Sequence, residues 1–220
     1  MIFTGREKEK KKIIKELERG NNVILTGKFG IGRTSLIKKI SKQLDGQRQI
    51  VFVDFSQTPR KISERLMKEL QICNRFKRTG NKMGYKSMRY RIAETGSLTK
   101  NKPVIVFDNI AKLTQPKITF LKYLHDEGHF QFIAIIENFL SEKHVLLLKI
   151  LLFPATNCSL GYLSDSDVSV FIRHYAKMHH LELSDAYIAS LTLLAGGYPL
   201  GMISLAKKLS STIINTVSSK

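Results

Sequence analysis

The residues best placed to do chemistry are Gly27-Lys28-Phe29-Gly30-Ile31-Gly32-Arg33-Thr34-Ser35. Glycines at Gly27, Gly30 and Gly32 let the backbone turn its N–H groups inward. A helix opening directly afterwards would add the positive end of its dipole, so the segment is suited to holding an anion. The spacing is that of G-x-x-x-x-G-K-[ST], with one departure: Arg33 stands where a lysine normally reaches the outer phosphates of a nucleotide. Guanidinium is planar, larger than ammonium and always charged, so it can pair with phosphate without occupying the same compact point. It could also fill the phosphate site itself.

A second group of residues completes the chemistry. Val104-Ile105-Val106-Phe107-Asp108-Asn109 is an apolar run ending in an acid. With ATP or ADP in the loop, Asp108 would hold Mg²⁺ through water and the Thr34 hydroxyl would sit on the other side of the ion. In a hydrolytic site the next residue is often a glutamate that activates water. Asn109 is an amide and cannot take a proton, which predicts slow or absent hydrolysis. Glu137 and Asn138 follow another apolar run. Glu137 could replace the missing base, and Asn138 could sense the terminal phosphate or simply open a helix.

These residues need a scaffold. Four apolar, β-branched runs read as buried strands: Val23 to Leu25, Ile50 to Phe55, Val104 to Phe107 and Phe132 to Ile136. Helical spacings between them, at Ser35 to Leu44, Ile62 to Leu70 and Lys117 to Leu124, imply an α/β fold with a parallel sheet covered on both faces. After about residue 163 the pattern turns helical. Ser164 or Asp165 and then Ser184-Asp185 cap two helices, Gly196-Gly197 ends the second, and Pro199 suits the start of a third. The expected division is an α/β nucleotide-binding core over residues 1–162 and a small helical lid over 163–220.

With 36 Lys and Arg against 18 Asp and Glu, the 220-residue chain carries a formal charge of +18, which favours polyanionic partners. From Leu70 to Ala93 there is no acid. Arg75, Lys77, Arg78, Lys82, Lys86, Arg89 and Arg91 are interleaved there with Phe76, Tyr85 and Tyr90. Bases would neutralise phosphates and aromatics would stack, giving a nonspecific, salt-sensitive grip on nucleic acid, DNA for preference. The alternative is a solvated excursion between two strands. The amino-terminal lysines alternate with Glu7 and Glu9 and read as a solvated face. Cys73 and Cys158 lack a pairing pattern, and no run reaches the roughly 20 apolar residues of a membrane span, so a cytoplasmic protein without a membrane partner is expected. His125 and His129 are four apart but lack a third ligand.

Together these motifs resemble the P-loop AAA+ superfamily, in particular its STAND branch and the archaeal-type ATPases near the origin-recognition proteins. Phe3-Thr4-Gly5-Arg6-Glu7 resembles the box that lines the adenine pocket there, and Gly197-Tyr198-Pro199 resembles the lid motif whose proline packs near adenine. The resemblance implies P-loop architecture, ATP and Mg²⁺ as cofactors, and a nucleotide-dependent switch or scaffold acting on nucleic acid. A homo-oligomer or a recruited protein partner is also within its range. Lys28 resembles the loop lysine of partitioning ATPases that reaches across a dimer. Residues 139 to 172 contain no arginine, so the arginine finger of hydrolytic AAA+ rings has no counterpart there.

Overall fold

The computed structural model describes residues 5–72, 83–99, 101–202 and 204–205. Five strands, β1 (Asn22–Gly27), β2 (Ile50–Asp54), β3 (Val104–Ile110), β4 (Gln131–Ile136) and β5 (Ala155–Leu160), form one sheet in the order β2-β3-β4-β1-β5. Every pairing is parallel. Crossover helices must then lie over both faces. They are α2 (Arg33–Gln43), α3 (Pro59–Glu69), α4 (Tyr85–Ser97), α5 (Gln115–Asp126) and α6 (Glu142–Leu151), while α1 (Glu7–Glu18) precedes β1 and packs into the same core as α2. Helices α7 (Asp165–Met178) and α8 (Asp185–Ala195) follow. The chain is helical again from Pro199.

Alternation along the strands builds two cores. Ile105 and Phe107 of β3 join Val53, Phe132 and Ala134 on the face covered by α3, α4 and α5. Val104 and Val106 join Val23, Leu25, Ile133 and Ile135 against Ile13 and Leu17 of α1 and Leu36, Ile37 and Ile40 of α2. Phe107 lies at the centre of the first core, edge-on to Phe55 at 4.9 Å and stacked on Phe132 at 5.7 Å. A separate cluster of Val168, Phe171, Ile172, Ile188, Leu191 and Met202 holds α7 and α8 together.

The sheet has one strand more than the four expected. Strand β5 reads Ala-Thr-Asn-Cys-Ser-Leu, with only Cys158 and Leu160 buried, and pairs with β1 alone. An edge strand with one wet face carries little of the apolar signal that marks a central one. Burial raises the Cys158 thiol pKa and keeps it protonated. Both cap signals of the helical segment are realised, since Ser164 accepts from the Asp167 amide and Ser184 from the Tyr187 amide.

The basic stretch from Leu70 to Ala93 is not wholly an excursion. Its second half belongs to α4, which packs on α3 and buries Met88, Ile92 and Ala93. Arg75, Phe76, Lys77, Arg78 and Lys82 lie outside the described residues. Of the remaining bases, Lys86 is exposed. The Arg89 guanidinium lies over the Tyr123 ring at 4.4 Å and the Tyr85 ring at 5.2 Å, so its faces serve packing. Arg91 is half-buried and also engaged.

Candidate nucleotide site

The loop Gly27 to Gly32 joins the end of β1 to the start of α2, at the carboxyl edge of the sheet where ligands of open parallel sheets gather. Gly30 has φ +72°, and a Cβ there would lie 2.6 Å from the Tyr198 hydroxyl. The position therefore needs glycine for its backbone and for its close neighbour. Ile31 anchors the loop by burying its side chain in the α1–α2 core. The α2 amides that follow point outward with no side-chain cap at Gly32, a ready anion site. Thr34 and Ser35 occupy the first turn.

Thr34 Oγ1 donates to Asp108 at 3.0 and 3.2 Å from the two carboxylate oxygens. Loop helix and acid strand are thus in contact where the sequence pairs them. A hydroxyl and a carboxylate are hard oxygen donors that fit Mg²⁺. Among the described residues no three His, Cys, Asp or Glu gather into a metal-binding group. An ion held by Thr34 and Asp108 would therefore rely on water and phosphate oxygens for its other positions.

Arg33 turns away from the loop. Its guanidinium donates to the Ile136 carbonyl and forms an ion pair with Glu137 at 2.8 Å, the two side chains being 6% and 13% exposed. The arginine neither fills the phosphate site nor stands free beside it, and Glu137 is committed to this cation. Next to it, Asn138 lies against the loop. With its amide oriented to satisfy both neighbours, its nitrogen donates to the Gly27 carbonyl and its oxygen accepts from the Phe29 amide at 3.2 Å. Asn138 is in neither β4 nor α6, and it braces the phosphate loop.

Asn109 adopts φ +61°, a conformation asparagine tolerates, and its amide nitrogen reaches Asp54 at the end of β2 at 3.3 Å. Burial works to raise the Asp54 pKa, but hydrogen bonds from Ser56, Gln57 and Asn109 outweigh it and the net shift is downward. Lys117 donates from α5 to the Phe55 carbonyl at 2.5 Å and fixes the turn after β2, while burial lowers its pKa.

The carboxyl-terminal helices close over the same loop. The Tyr198 hydroxyl donates to the Phe29 carbonyl at 2.7 Å, and the Leu163 amide donates to the Gly197 carbonyl at 2.8 Å. Lys28 donates to the Tyr162 hydroxyl at 2.8 Å and lies 4.9 Å from that ring's centroid. That hydrogen bond is the main reason its pKa is raised. Phe29 itself is 69% exposed at the loop tip. Arg6, with φ +69°, donates to Gly161 at 2.5 Å and to Ile31 at 3.4 Å, tying the amino-terminal segment to the loop and to the end of β5. Phe3 lies outside the described residues. Pro199 is half-buried and opens the last helical turns behind Tyr198.

Thr34 and Asp108, paired by sequence spacing, are in contact, and the loop glycines directly precede α2. Tyr162 and the Arg33–Glu137 pair were not anticipated. A tyrosine following an edge strand carries no local signal, and an ion pair between residues 104 positions apart is visible only in three dimensions.

The family described as AAA domain matches residues 16–143, more than half of the chain, including the phosphate loop, Asp108 and Asn138. The chain belongs to the AAA domain family. Domains of this kind bind ATP or ADP with Mg²⁺. A search of curated proteins returned no match. Among solved structures, the Walker-type ATPase of Pyrococcus abyssi superposes with a TM-score of 0.66 at 14% identity, covering 99% of this chain and 74% of that one. The Aeropyrum pernix Orc1 protein, solved in complex with DNA, gives 0.60 at 14% identity, over 80% of this AAA domain chain and 50% of its own length. A STAND protein of Pyrococcus horikoshii with a tetratricopeptide repeat sensor gives 0.57 at 20% identity, over 91% and 29%. The chain therefore spans half of the Aeropyrum protein and less than a third of the Pyrococcus horikoshii one. Among the described residues no helix is long and apolar enough to cross a membrane.

Proposed function

We propose that this AAA domain is a nucleotide-dependent switch. It binds MgATP in the loop Gly27 to Ser35, with Thr34 and Asp108 on the metal, and hydrolyses it slowly. Residues 1–162 act as the core and residues 163–220 as a lid. The observation that carries the reading is the hydrogen bond from Tyr198 to the Phe29 carbonyl. A phosphate cradled by the loop amides must adjust the same peptide that holds the lid, so occupancy and lid position are coupled.

The charge of +18 supports a nucleic-acid partner. So does the fold-level likeness to a protein solved on DNA. The grip is nonspecific, and DNA affinity should fall steeply with salt. If about six phosphates are neutralised, roughly 10³-fold is lost between 50 and 200 mM. Affinity that does not change with salt would remove DNA from the account. A protein partner is the second reading, favoured by Leu193 and Leu194 on α8, each 76% exposed.

Calorimetry tests the nucleotide site. ATP should bind, Mg²⁺ should tighten it, and Asp108→Ala should abolish the Mg²⁺ effect while leaving weaker binding. Steady-state turnover should stay well below about one per second, a rate of ordinary working enzymes. Absence of ATP binding would end the proposal.

A further inference from the structure

Near the end of β3, Asp108 is followed by Asn109, so the position after the acid holds an amide that cannot take a proton from water. Two carboxylates on neighbouring strands come near it. Glu137, just after β4, is bound to Arg33. Asp54, at the end of β2, is the direct register partner of Asp108 across the sheet. Its hydrogen-bond donors, the Ser56 amide at 2.9 Å and the Gln57 and Asn109 side chains at 3.3 Å, are all neutral.

Asp54, Asp108 and Asn109 line one cleft of about 420 Å³, whose walls also carry Lys38, Lys61 and Arg65. The three cations keep the cleft hospitable to a phosphate despite its two aspartates. The left-handed conformation of Asn109 sends its amide across to β2, and its N–H bond to Asp54 ties the two strand ends together.

We propose that Asp54 is a catalytic residue of the slow hydrolysis, supplying from β2 the carboxylate that β3 lacks. It accepts a hydrogen bond from the water that attacks the terminal phosphorus of MgATP and receives that water's proton. The new oxygen–phosphorus bond forms as the bond from phosphorus to the bridging oxygen breaks. The electron pair leaves with ADP, and the products are ADP and inorganic phosphate. Asn109 acts as a positioning residue by holding Asp54. The inference rests on the nucleotide-binding reading above.

The test measures phosphate release and MgATP affinity on the same preparations of wild type, Asp54→Asn and the double variant Asp54→Asn/Asn109→Glu, with melting temperatures to confirm folding. Asp54→Asn should lower turnover about 10²-fold, the low end of what a general base contributes. It should bind MgATP as tightly as wild type or several-fold tighter, because a negative charge near the triphosphate is gone. The double variant returns a carboxylate to β3 and should recover turnover to within tenfold of wild type. Asp54→Asn turning over within threefold of wild type, with binding intact, would overturn the assignment. Wild-type turnover no faster than that of Asp108→Ala would overturn it as well. A wild type that binds no MgATP would instead bring down the reading beneath it.

Discussion

Replacing Glu137 with alanine should destabilise the protein by about 3–5 kcal/mol, the cost of stranding one member of a buried ion pair. Arg33 would keep the Ile136 carbonyl but lose the carboxylate it pairs with, in a site where its side chain is 6% exposed. Set against a typical total stability of roughly 5–15 kcal/mol, that is a large fraction, and the melting temperature should fall on the order of 10 °C. The double variant Glu137→Ala/Arg33→Met should recover much of the loss, since removing both charges leaves no orphan. The single variant should also bind ATP more tightly than wild type, because the released guanidinium can turn to the loop and pair with phosphate. Melting curves and calorimetry on wild type and the two variants check both statements. A Glu137→Ala protein as stable as wild type would mean that the pair contributes nothing.

The second large effect belongs to Gly197. Its φ is +69°, and a Cβ there would run into the Leu163 carbonyl oxygen and lie 3.1 Å from the Leu163 nitrogen. Both clashes are with backbone, which cannot swing aside. Gly197→Ala should therefore break the Leu163–Gly197 hydrogen bond and pull Tyr198 from the phosphate loop, adding backbone strain of roughly 1–3 kcal/mol. The α7–α8 cluster is separate from the two sheet cores, so the damage should stay local. Hydrogen exchange should show α7 and α8 opening at least tenfold more readily while β1, β3 and β4 remain protected. Uniform loss of protection across the sheet would contradict this division of the chain into core and lid.

Much of this architecture was legible in the residues. The central strands were visible because sheets covered on both faces demand continuous apolar runs, as at Val104 to Phe107 and Phe132 to Ile136. Caps at Ser164 and Ser184 and the stop at Gly196 were visible because each rests on local chemistry. Strand β5 was not, since a polar edge strand is defined by the neighbour it pairs with. Helix α4 hid inside a run of bases, because the charge of Lys86, Arg89 and Arg91 masks the spacing of Met88, Ile92 and Ala93. Within the site, Thr34 and Asp108 followed from motif spacing. The direction taken by Arg33 did not, because it depends on Glu137 arriving from another strand. Nor did the pairing of Asp54 with Asn109, which depends on the β2–β3 register.

The most direct test of the switch is hydrogen exchange in the lid with and without MgATP. If the loop and lid are coupled through Tyr198 and Phe29, saturating MgATP should change exchange across residues 163–205 by at least tenfold in wild type and leave it unaltered in Asp108→Ala at a concentration that variant does not bind. Lid exchange that stays the same while calorimetry shows the nucleotide bound would contradict the account.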